Sequence, residues 1–296
     1  MQGKSTANLI QLMATRLITN DAQLRRYMPN VFATAQGETP LFDKVLPWLE
    51  TAERWLFQQF IGNTFEPSLL AMGENEPVRL TATCVVAHEA MLRAVPSLDL
   101  VLTPNGFGIV SNQNVAPASR ERVSRLIASL ETSRDNAIEQ LIMYLFRETE
   151  WYDSPTRHWF TATLFPNIDL ANLCGFTEHR WANYLGLRSN AITIETEIAN
   201  DYVSPEQLAV FRNEVFCMDF EFSLQTSQHT SVLQQLRSII VRMLRGEPTP
   251  IQSLRDIVDF MRKHDEQFPE FRSSRTYKLF EPPIFENKKQ NHGYFF

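Results

Sequence analysis

Glycine is scarce in this sequence, with only 10 among 296 residues. So few glycines argue against folds organised around Gly-rich phosphate loops, and against proteins built on many tight β-turns. Cysteine is scarcer still, because Cys84, Cys174 and Cys217 stand far apart and form no C-x-x-C pair. An odd number of dispersed cysteines is typical of reduced, mostly buried thiols in a cytoplasm-like compartment. A secreted scaffold held by disulfides is therefore not expected.

Long apolar runs and excess positive charge are also missing. No stretch approaches 18 uninterrupted apolar residues, and the first residues show no signal-peptide pattern, so we expect neither a transmembrane helix nor secretion. The formal net charge is −6 and the pI is about 5.6, so the chain has no global basic field to attract DNA or RNA. We expect no membrane partner and no sequence-specific nucleic acid.

Apolar residues at helical spacing are abundant. Hydrophobic residues make up 44% of the chain and charged residues 21%, which is the balance of a globular protein with a sizeable core. Amphipathic stripes recur over residues 42–60, 80–92, 120–146, 230–244 and 254–261. These stripes predict a mainly α protein, a multi-helix bundle.

One stretch departs from the helical pattern and predicts a β-hairpin over residues 99–111. Two short β-favouring segments flank Asn105-Gly106, and Asn-Gly favours a type I′ turn because both central residues need positive φ. A polar connection follows, and then Ser119 is placed to cap a long helix over residues 120–146. The surface of that helix alternates Glu and Arg, which is typical of solvated ion pairs.

The chain divides into three parts by pattern. Residues 1–148 form one expected helical domain, residues 149–270 a second, and residues 271–296 an extended arm. The arm has no helical period, and Pro282-Pro283 favours an extended chain. Its aromatic content is much higher than that of disordered tails, so it requires a groove on its own body or on a neighbour.

Few residue combinations point to chemistry. Cys84 and His88 stand i, i+4 on one helical face, a spacing that could grip a metal, but Val85 and Met91 on that face favour a core Cys and His instead. No Gly-x-Ser-x-Gly elbow is present, and no cysteine stands in a known catalytic context. We therefore expect no enzymatic activity, no cofactor and no metal.

Arg120, Arg122 and Arg125, with Arg134 further along, form a basic cluster at the start of the long helix. Positive charge at a helix N-terminus opposes the macrodipole, which makes the cluster a little unusual. A solvated surface explains it best, and contact with a partner or with phosphate is the alternative.

Two segments carry a resemblance to a known group of proteins. Residues 104–112, Pro-Asn-Gly-Phe-Gly-Ile-Val-Ser-Asn, and residues 116–123, Ala-Pro-Ala-Ser-Arg-Glu-Arg-Val, resemble an uncharacterised family of gut anaerobic bacteria and their phages and prophages. Some members look like head–tail connector or neck components. The resemblance implies a virion protein assembled in the cytoplasm of a bacterial host, and it carries over no catalytic residue.

These observations predict a structural, non-enzymatic virion protein, a connector or neck ring subunit that contacts copies of itself and portal or tail components. Ring closure needs two different patches on each subunit, and the hairpin tip and the arm supply candidates. The expected partner-binding residues are Asn105, Gly106, Phe107, Tyr277, Phe280, Phe285, Tyr294, Phe295 and Phe296. The alternative is a cytoplasmic enzyme or ligand-binding protein with a pocket between the two helical halves.

Overall fold

A computed structural model describes residues 15–28, 39–98, 100–103, 106–109, 119–220 and 228–281. The chain divides into two compact units, Met1–Ser189 (unit 1) and Asn190–Phe296 (unit 2). The described residues are mainly helical, which confirms the predicted fold class at that level. Among them, no helix is both long enough and apolar enough to cross a membrane.

Unit 1 is built from helices of very different length. Its described helices are α1 (Asp21–Tyr27), α2 (Leu41–Leu56), α3 (Gly62–Ala71), α4 (Pro77–Ala94), α5 (Arg120–Leu145), α6 (Pro155–Thr161) and α7 (Asp169–Leu173). A π-helical turn, Phe57–Ile61, joins α2 to α3, and 3-10 turns occupy Val95–Ser97 and Thr149–Trp151. Helix α8 (Arg180–Ile198) begins in unit 1 and continues past the boundary.

The helix ends follow local sequence signals. Asn20 accepts a hydrogen bond from the Gln23 N–H at the start of α1, and Ser119 accepts one from the Arg122 N–H at the start of α5. Ser154 caps α6, whose first residue is Pro155, where a missing N–H costs nothing. The long helix therefore begins at the predicted cap.

Helix α4 is the centre of unit 1. It packs against both α2 and α5. Its buried residues lie on nearly every side of the helix, including Thr81, Val85, Val86 and Ala90, as expected for a helix surrounded by others. Beside this core the rings of Phe60, Trp181, Trp55, Phe160, Trp151, Trp159 and Tyr184 form one aromatic cluster.

Two short strands lie between α4 and α5. Strand β1 (Leu100–Thr103) pairs antiparallel with β2 (Gly106–Ile109), with Leu100 opposite Ile109 and Thr103 opposite Gly106. The turn residues Pro104 and Asn105 lie outside the described residues, so the predicted turn type stays a prediction.

Unit 2 repeats the pattern of helices joined by short turns. After the end of α8 come a π-helical turn (Ala199–Val203), α9 (Pro205–Phe220), α10 (Gln228–Leu244), α11 (Ile251–Lys263), a 3-10 turn (Asp265–Gln267), α12 (Pro269–Ser273) and α13 (Arg275–Leu279). Its core includes Phe211, Leu236, Ile240, Val258 and Phe268, all almost fully buried.

Two expectations about organisation need correction. The predicted boundary between residues 148 and 149 lies inside unit 1, and the chain divides at Ser189–Asn190 instead. The expected extended arm does not begin at Phe271, because α12 and α13 are helical and Phe271 is fully buried. The reason is local: Pro269 starts one short helix and Ser274 caps the next, signals that are too short to give a visible period.

Candidate functional site

A surface groove of about 220 Å³ lies beside α5 in unit 1. One face of α5 forms its floor, and the segment between α7 and α8 forms its wall. The lining residues are Ser124, Ile127, Ala128, Glu131, Thr132, Asp135, Thr177, Glu178, His179 and Arg180. We call this the α5 groove. It is smaller than the ~300–1,000 Å³ of most small-molecule pockets.

The wall of the α5 groove is fixed to its floor by ion pairs and hydrogen bonds. His179 Nδ1 lies 2.6 Å from Glu131 Oε2. Arg180 Nη1 lies 2.6 Å from Glu139 Oε2, and its Nη2 donates to Asn136 Oδ1 at 2.6 Å. Each link joins the start of α8, or the residue before it, to α5. The groove is therefore preformed, and a ligand would not have to order it.

His179 has an unusual backbone for a residue with a side chain. Its φ is +51°, in the left-handed region. Its backbone carbonyl accepts the Asn183 N–H at 2.9 Å and so begins α8. The hydrogen bond to the Glu131 carboxylate, with the attraction of that charge, raises the pKa of His179 above its ordinary value. Because the imidazole is largely exposed, solvent screens this pair.

A buried charge network lies directly behind the groove. Arg134 pairs with Asp135 at 2.7 Å, with Glu89 of α4 at 3.1 Å and with Glu131 at 3.3 Å. The neighbouring carboxylates raise the pKa of Arg134 even though burial opposes its charge. Asp135 Oδ2 also accepts the Trp181 N–H at 3.3 Å. The network therefore ties α4, α5 and α8 together.

Arg134 is thus unavailable as the fourth member of the basic cluster expected at the start of α5. Arg120, Arg122 and Arg125 are exposed, and Arg125 pairs with Glu121 one turn earlier. Such an exposed i, i+4 pair is typical of a solvated helix surface.

The Cys84–His88 pair has the geometry of a core contact. His88 Nδ1 lies 2.8 Å from the Cys84 carbonyl oxygen and 3.4 Å from Cys84 Sγ. Burial raises the pKa of the Cys84 thiol to about 11 and lowers the pKa of His88. In the described residues, no group of three or more His, Cys, Asp or Glu side chains could hold a metal ion.

The expected partner-binding residues fall into three groups. Gly106 and Phe107 belong to β2, and Asn105 lies outside the described residues. Tyr277 and Phe280 lie in unit 2, where the Tyr277 ring packs against Phe271 and the Phe280 ring lies near Tyr202. Phe285, Tyr294, Phe295 and Phe296 lie outside the described residues.

Sequence reasoning did not find the α5 groove. Cys174 and His179 are five residues apart with no second ligand pair nearby, so the sequence around the groove gives no metal signal. The useful signal was the run Glu178-His179-Arg180, which brings three polar side chains to the start of a helix. The α5 partners of His179 and Arg180 are Glu131 and Glu139, which lie more than 40 residues earlier in the chain.

The model of a family of unknown function (DUF6712) matches residues 33–161 of this chain. The match covers α2 to α6 and therefore the floor of the α5 groove, while the wall lies beyond it. No curated protein and no solved structure gives a significant match.

Proposed function

We propose that this protein is a structural, non-enzymatic subunit of a phage or prophage particle. In this proposal it is a head–tail connector or neck ring component that assembles with copies of itself and with portal or tail proteins. Assembly takes place in the cytoplasm of the bacterial host. Two observations support the proposal. One is the sequence resemblance in residues 104–123, and the other is that the N-terminal part of α5 extends beyond the end of α4, the helix against which it packs.

Helices α4 and α5 run antiparallel, and one ion pair between them sets their register. Burial and the nearby charges of Glu150 and Glu76 raise the pKa of Glu148, so the residue before α4 lies close to the residues after α5. The Glu89–Arg134 pair joins the two helices further along. Ala94, the last residue of α4, is therefore level with about residue 129 of α5. The first nine or so residues of α5 extend roughly 13 Å beyond it.

The burial of α5 agrees with this register. The first buried residue of the helix is Leu130, and the preceding residues are exposed or half-buried. The apolar stripe nevertheless continues through Val123, Leu126 and Ile127. A helix that keeps its apolar stripe beyond its covering helix offers that stripe to another partner.

The two strands belong to the same end of unit 1, since they connect α4 to α5. Among the described elements their main contacts are with each other. We call strands β1 and β2 together with residues 120–128 the α5 extension. A paired-strand and helix projection with a half-exposed apolar stripe is suited to contact between subunits, and this supports an assembly role.

The test is the mass of the full chain in solution. Light scattering over rising concentration, with electron microscopy of the same samples, should show a closed oligomer. The double variant Val123→Glu, Leu126→Glu should shift the mass to that of a monomer while helical circular dichroism is unchanged. Both positions are half-buried on α5 and neither lines the α5 groove.

The matched control is Ser129→Glu, an exposed position of the same helix. It adds one negative charge, where the double variant adds two, away from the apolar stripe, and it should leave the oligomer intact. A full chain that stays monomeric at every concentration contradicts self-assembly. An oligomer that survives the double variant contradicts the α5 extension as its contact.

A second candidate is a small-ligand-binding protein, which the preformed α5 groove favours. Such a groove lies within unit 1, whereas the sequence suggested a pocket between two halves. Its small volume and its open surface site suit a side chain from another chain segment better than a whole metabolite. Assembly therefore remains the stronger proposal.

A further inference from the structure

We infer that the α5 groove receives residues 282–296 of a second copy of this chain. The inference rests on the proposed assembly role and names the contact that would join neighbouring subunits. It depends on three properties of the groove: a fixed shape, apolar surface at Ile127 and Ala128 on the floor, and the carboxylate of Glu178 on the rim.

The fixed shape comes from the links between wall and floor. The His179–Glu131 and Arg180–Glu139 pairs hold the wall at its distance from α5. The Trp181 N–H, in the residue that follows Arg180, also donates to Asp135 of α5. A peptide that enters such a groove loses its own freedom but does not have to order the receptor. Preformed grooves of this kind receive extended segments through one or two anchoring side chains.

The floor of the groove is mixed in polarity. Ile127 is half-buried and Ala128 is exposed, so the floor offers some apolar surface without a large side chain to block it. On the rim, Glu131 is already paired with His179 and with Arg134, which leaves Glu178 as the carboxylate that can meet a ligand. Glu178 is exposed, and its carboxylate forms no ion pair within the part of the chain that the structure describes. The groove therefore suits an apolar or aromatic side chain with a cation beside it.

Residues 282–296 have the matching composition. They read Pro-Pro-Ile-Phe-Glu-Asn-Lys-Lys-Gln-Asn-His-Gly-Tyr-Phe-Phe, with aromatic side chains at both ends and Lys288-Lys289 against the single acid Glu286. Pro282-Pro283 favours an extended backbone, which lowers the entropy lost when such a segment lies in a groove. The segment begins directly after Glu281, the last described residue.

The occupant is assigned to a second copy because a ring requires heterologous contacts. Each subunit must present a donor and a different acceptor, and the contact must be able to repeat around the ring. The α5 groove and residues 282–296 supply such a pair on every chain. An α5 groove filled by the same chain would leave the ring without this contact.

The first experiment measures the contact itself. A chain ending at Glu281 is titrated with a fluorescent synthetic peptide of residues 282–296, and binding is followed by anisotropy. We expect a Kd in the micromolar range. Ala128→Trp, which fills the floor, should weaken binding at least tenfold, and Glu178→Lys should weaken it several-fold with a smaller dependence on salt. Ser129→Trp is the matched control and should bind like the parent.

A peptide that does not bind overturns the inference, as does equal weakening by Ala128→Trp and Ser129→Trp. Circular dichroism of each variant excludes loss of fold. A peptide in which Tyr294, Phe295 and Phe296 are replaced by Ala should bind more weakly if these rings are anchors.

The second experiment separates this inference from the proposed function. The full chain carrying Ala128→Trp is examined by light scattering beside the parent and beside the chain ending at Glu281. Loss of the oligomer in both variants supports docking on a second copy. A full-size oligomer in both variants overturns the inference and leaves the assembly proposal standing. A monomeric parent with a groove that still binds the peptide places the segment on its own chain, which contradicts both.

Discussion

The two units contain the same local device, built with different side chains. In unit 1 the π-helical turn Phe57–Ile61 ends at Gly62, whose φ is +74° and whose N–H donates to the Phe57 carbonyl. In unit 2 the turn Ala199–Val203 ends at Ser204, whose φ is +80° and whose N–H donates to the Ala199 carbonyl at 2.8 Å. In each unit another helix follows at once. The same backbone conformation therefore occurs in both units.

Each π-helical turn is also held by a similar capping segment. In unit 1 the segment is Trp151 to Thr156, in which the Ser154 N–H donates to the Trp151 carbonyl at 3.0 Å. In unit 2 it is Phe271 to Thr276, in which the Ser274 N–H donates to the Phe271 carbonyl at 3.0 Å. Both segments place an aromatic residue, a Ser and a Thr at the same spacing.

The side chains that complete the device differ in strength. Trp151 Nε1 donates to the Phe60 carbonyl at 2.9 Å, whereas Thr276 Oγ1 reaches the Asn200 carbonyl only at 3.4 Å. π-helical turns leave backbone carbonyls without their usual helical partners, so these donors satisfy groups that would otherwise be orphaned. Unit 1 therefore holds its turn more tightly than unit 2. Two predictions test that difference, and two more extend the comparison of the units to other buried side chains.

The largest effect is expected from Gly62→Ala. At Gly62 a Cβ atom would lie 2.6 Å from Ser154 Oγ, and the backbone conformation is one that residues with side chains rarely adopt. Steric conflict and backbone strain together should lower the free energy of unfolding by about 3 kcal/mol. The measurement is a urea unfolding curve.

The matched change in unit 2 is Ser204→Gly. It relieves the strain at φ +80° but removes the cap that Ser204 Oγ gives to the Gln207 N–H, and glycine adds freedom to the unfolded chain. The net change should be less than about 1 kcal/mol in either direction. If Ser204→Gly lowers the free energy of unfolding as much as Gly62→Ala does, the two π-helical turns are not equivalent.

The second prediction concerns the donors. Trp151→Phe keeps most of the ring packing but leaves the Phe60 carbonyl without its donor in a buried place, which should cost about 2 kcal/mol. Thr276→Val removes the longer bond in unit 2 and should cost less than about 1 kcal/mol. Thermal unfolding of the two variants side by side checks the order, and a larger loss from Thr276→Val would reverse the comparison.

The third prediction concerns the residue three positions after Gly62 in unit 1 and after Ser204 in unit 2. Phe65 in unit 1 and Gln207 in unit 2 are both fully buried. Neither amide atom of Gln207 has a hydrogen-bond partner among the described residues. Gln207→Leu should therefore raise the free energy of unfolding by about 1 kcal/mol, because it removes a buried amide that has no hydrogen-bond partner among the described residues.

Phe65→Leu is the matched control for this change, since it only reduces an apolar contact and should destabilise. If Gln207→Leu destabilises as well, the amide has a role in unit 2 that its surroundings do not show. Chemical unfolding midpoints of the two variants are sufficient to separate these results.

Much of the fold could be predicted from local signals, because those signals act within a few residues. Ser119 caps the helix expected to follow it, and the long stripe of α5 predicts the bounds of that helix closely. The paired design of the two units could not be predicted. The spacing from Gly62 to Ser204 differs from that between Ser154 and Ser274, so no fixed period brings both into register.

The α5 groove was also out of reach of the sequence. Its geometry depends on His179 and Arg180 meeting Glu131 and Glu139, which are distant in the chain. Helical periodicity predicts that Glu131 lies on the surface of α5, but it cannot tell which segment will lie against that surface. The extension of α5 beyond the end of α4 could not be predicted either, because it depends on the register of the two helices and not on the apolar pattern of either one.

The last comparison uses pH and again separates the units. Burial lowers the pKa of His88 in unit 1, so the folded protein resists the proton that the unfolded chain accepts. Stability should therefore fall as the pH falls through about 6.5, by at most about 1.4 kcal/mol per pH unit for one such group. His88→Gln should remove this slope, as measured by urea midpoints from neutral to mildly acidic pH.

His229 in unit 2 is the matched comparison, because it is also an imidazole that contacts acceptor atoms of its own unit. Its Nδ1 lies 2.8 Å from Glu214 Oε2 and its Nε2 lies 2.5 Å from the Gln267 carbonyl oxygen. His229→Gln should leave the acid-side loss of stability that His88 causes in place, whereas His88→Gln removes it. If the two variants follow the parent equally, burial of His88 does not govern the acid response, and the contrast between the units is confined to their π-helical turns.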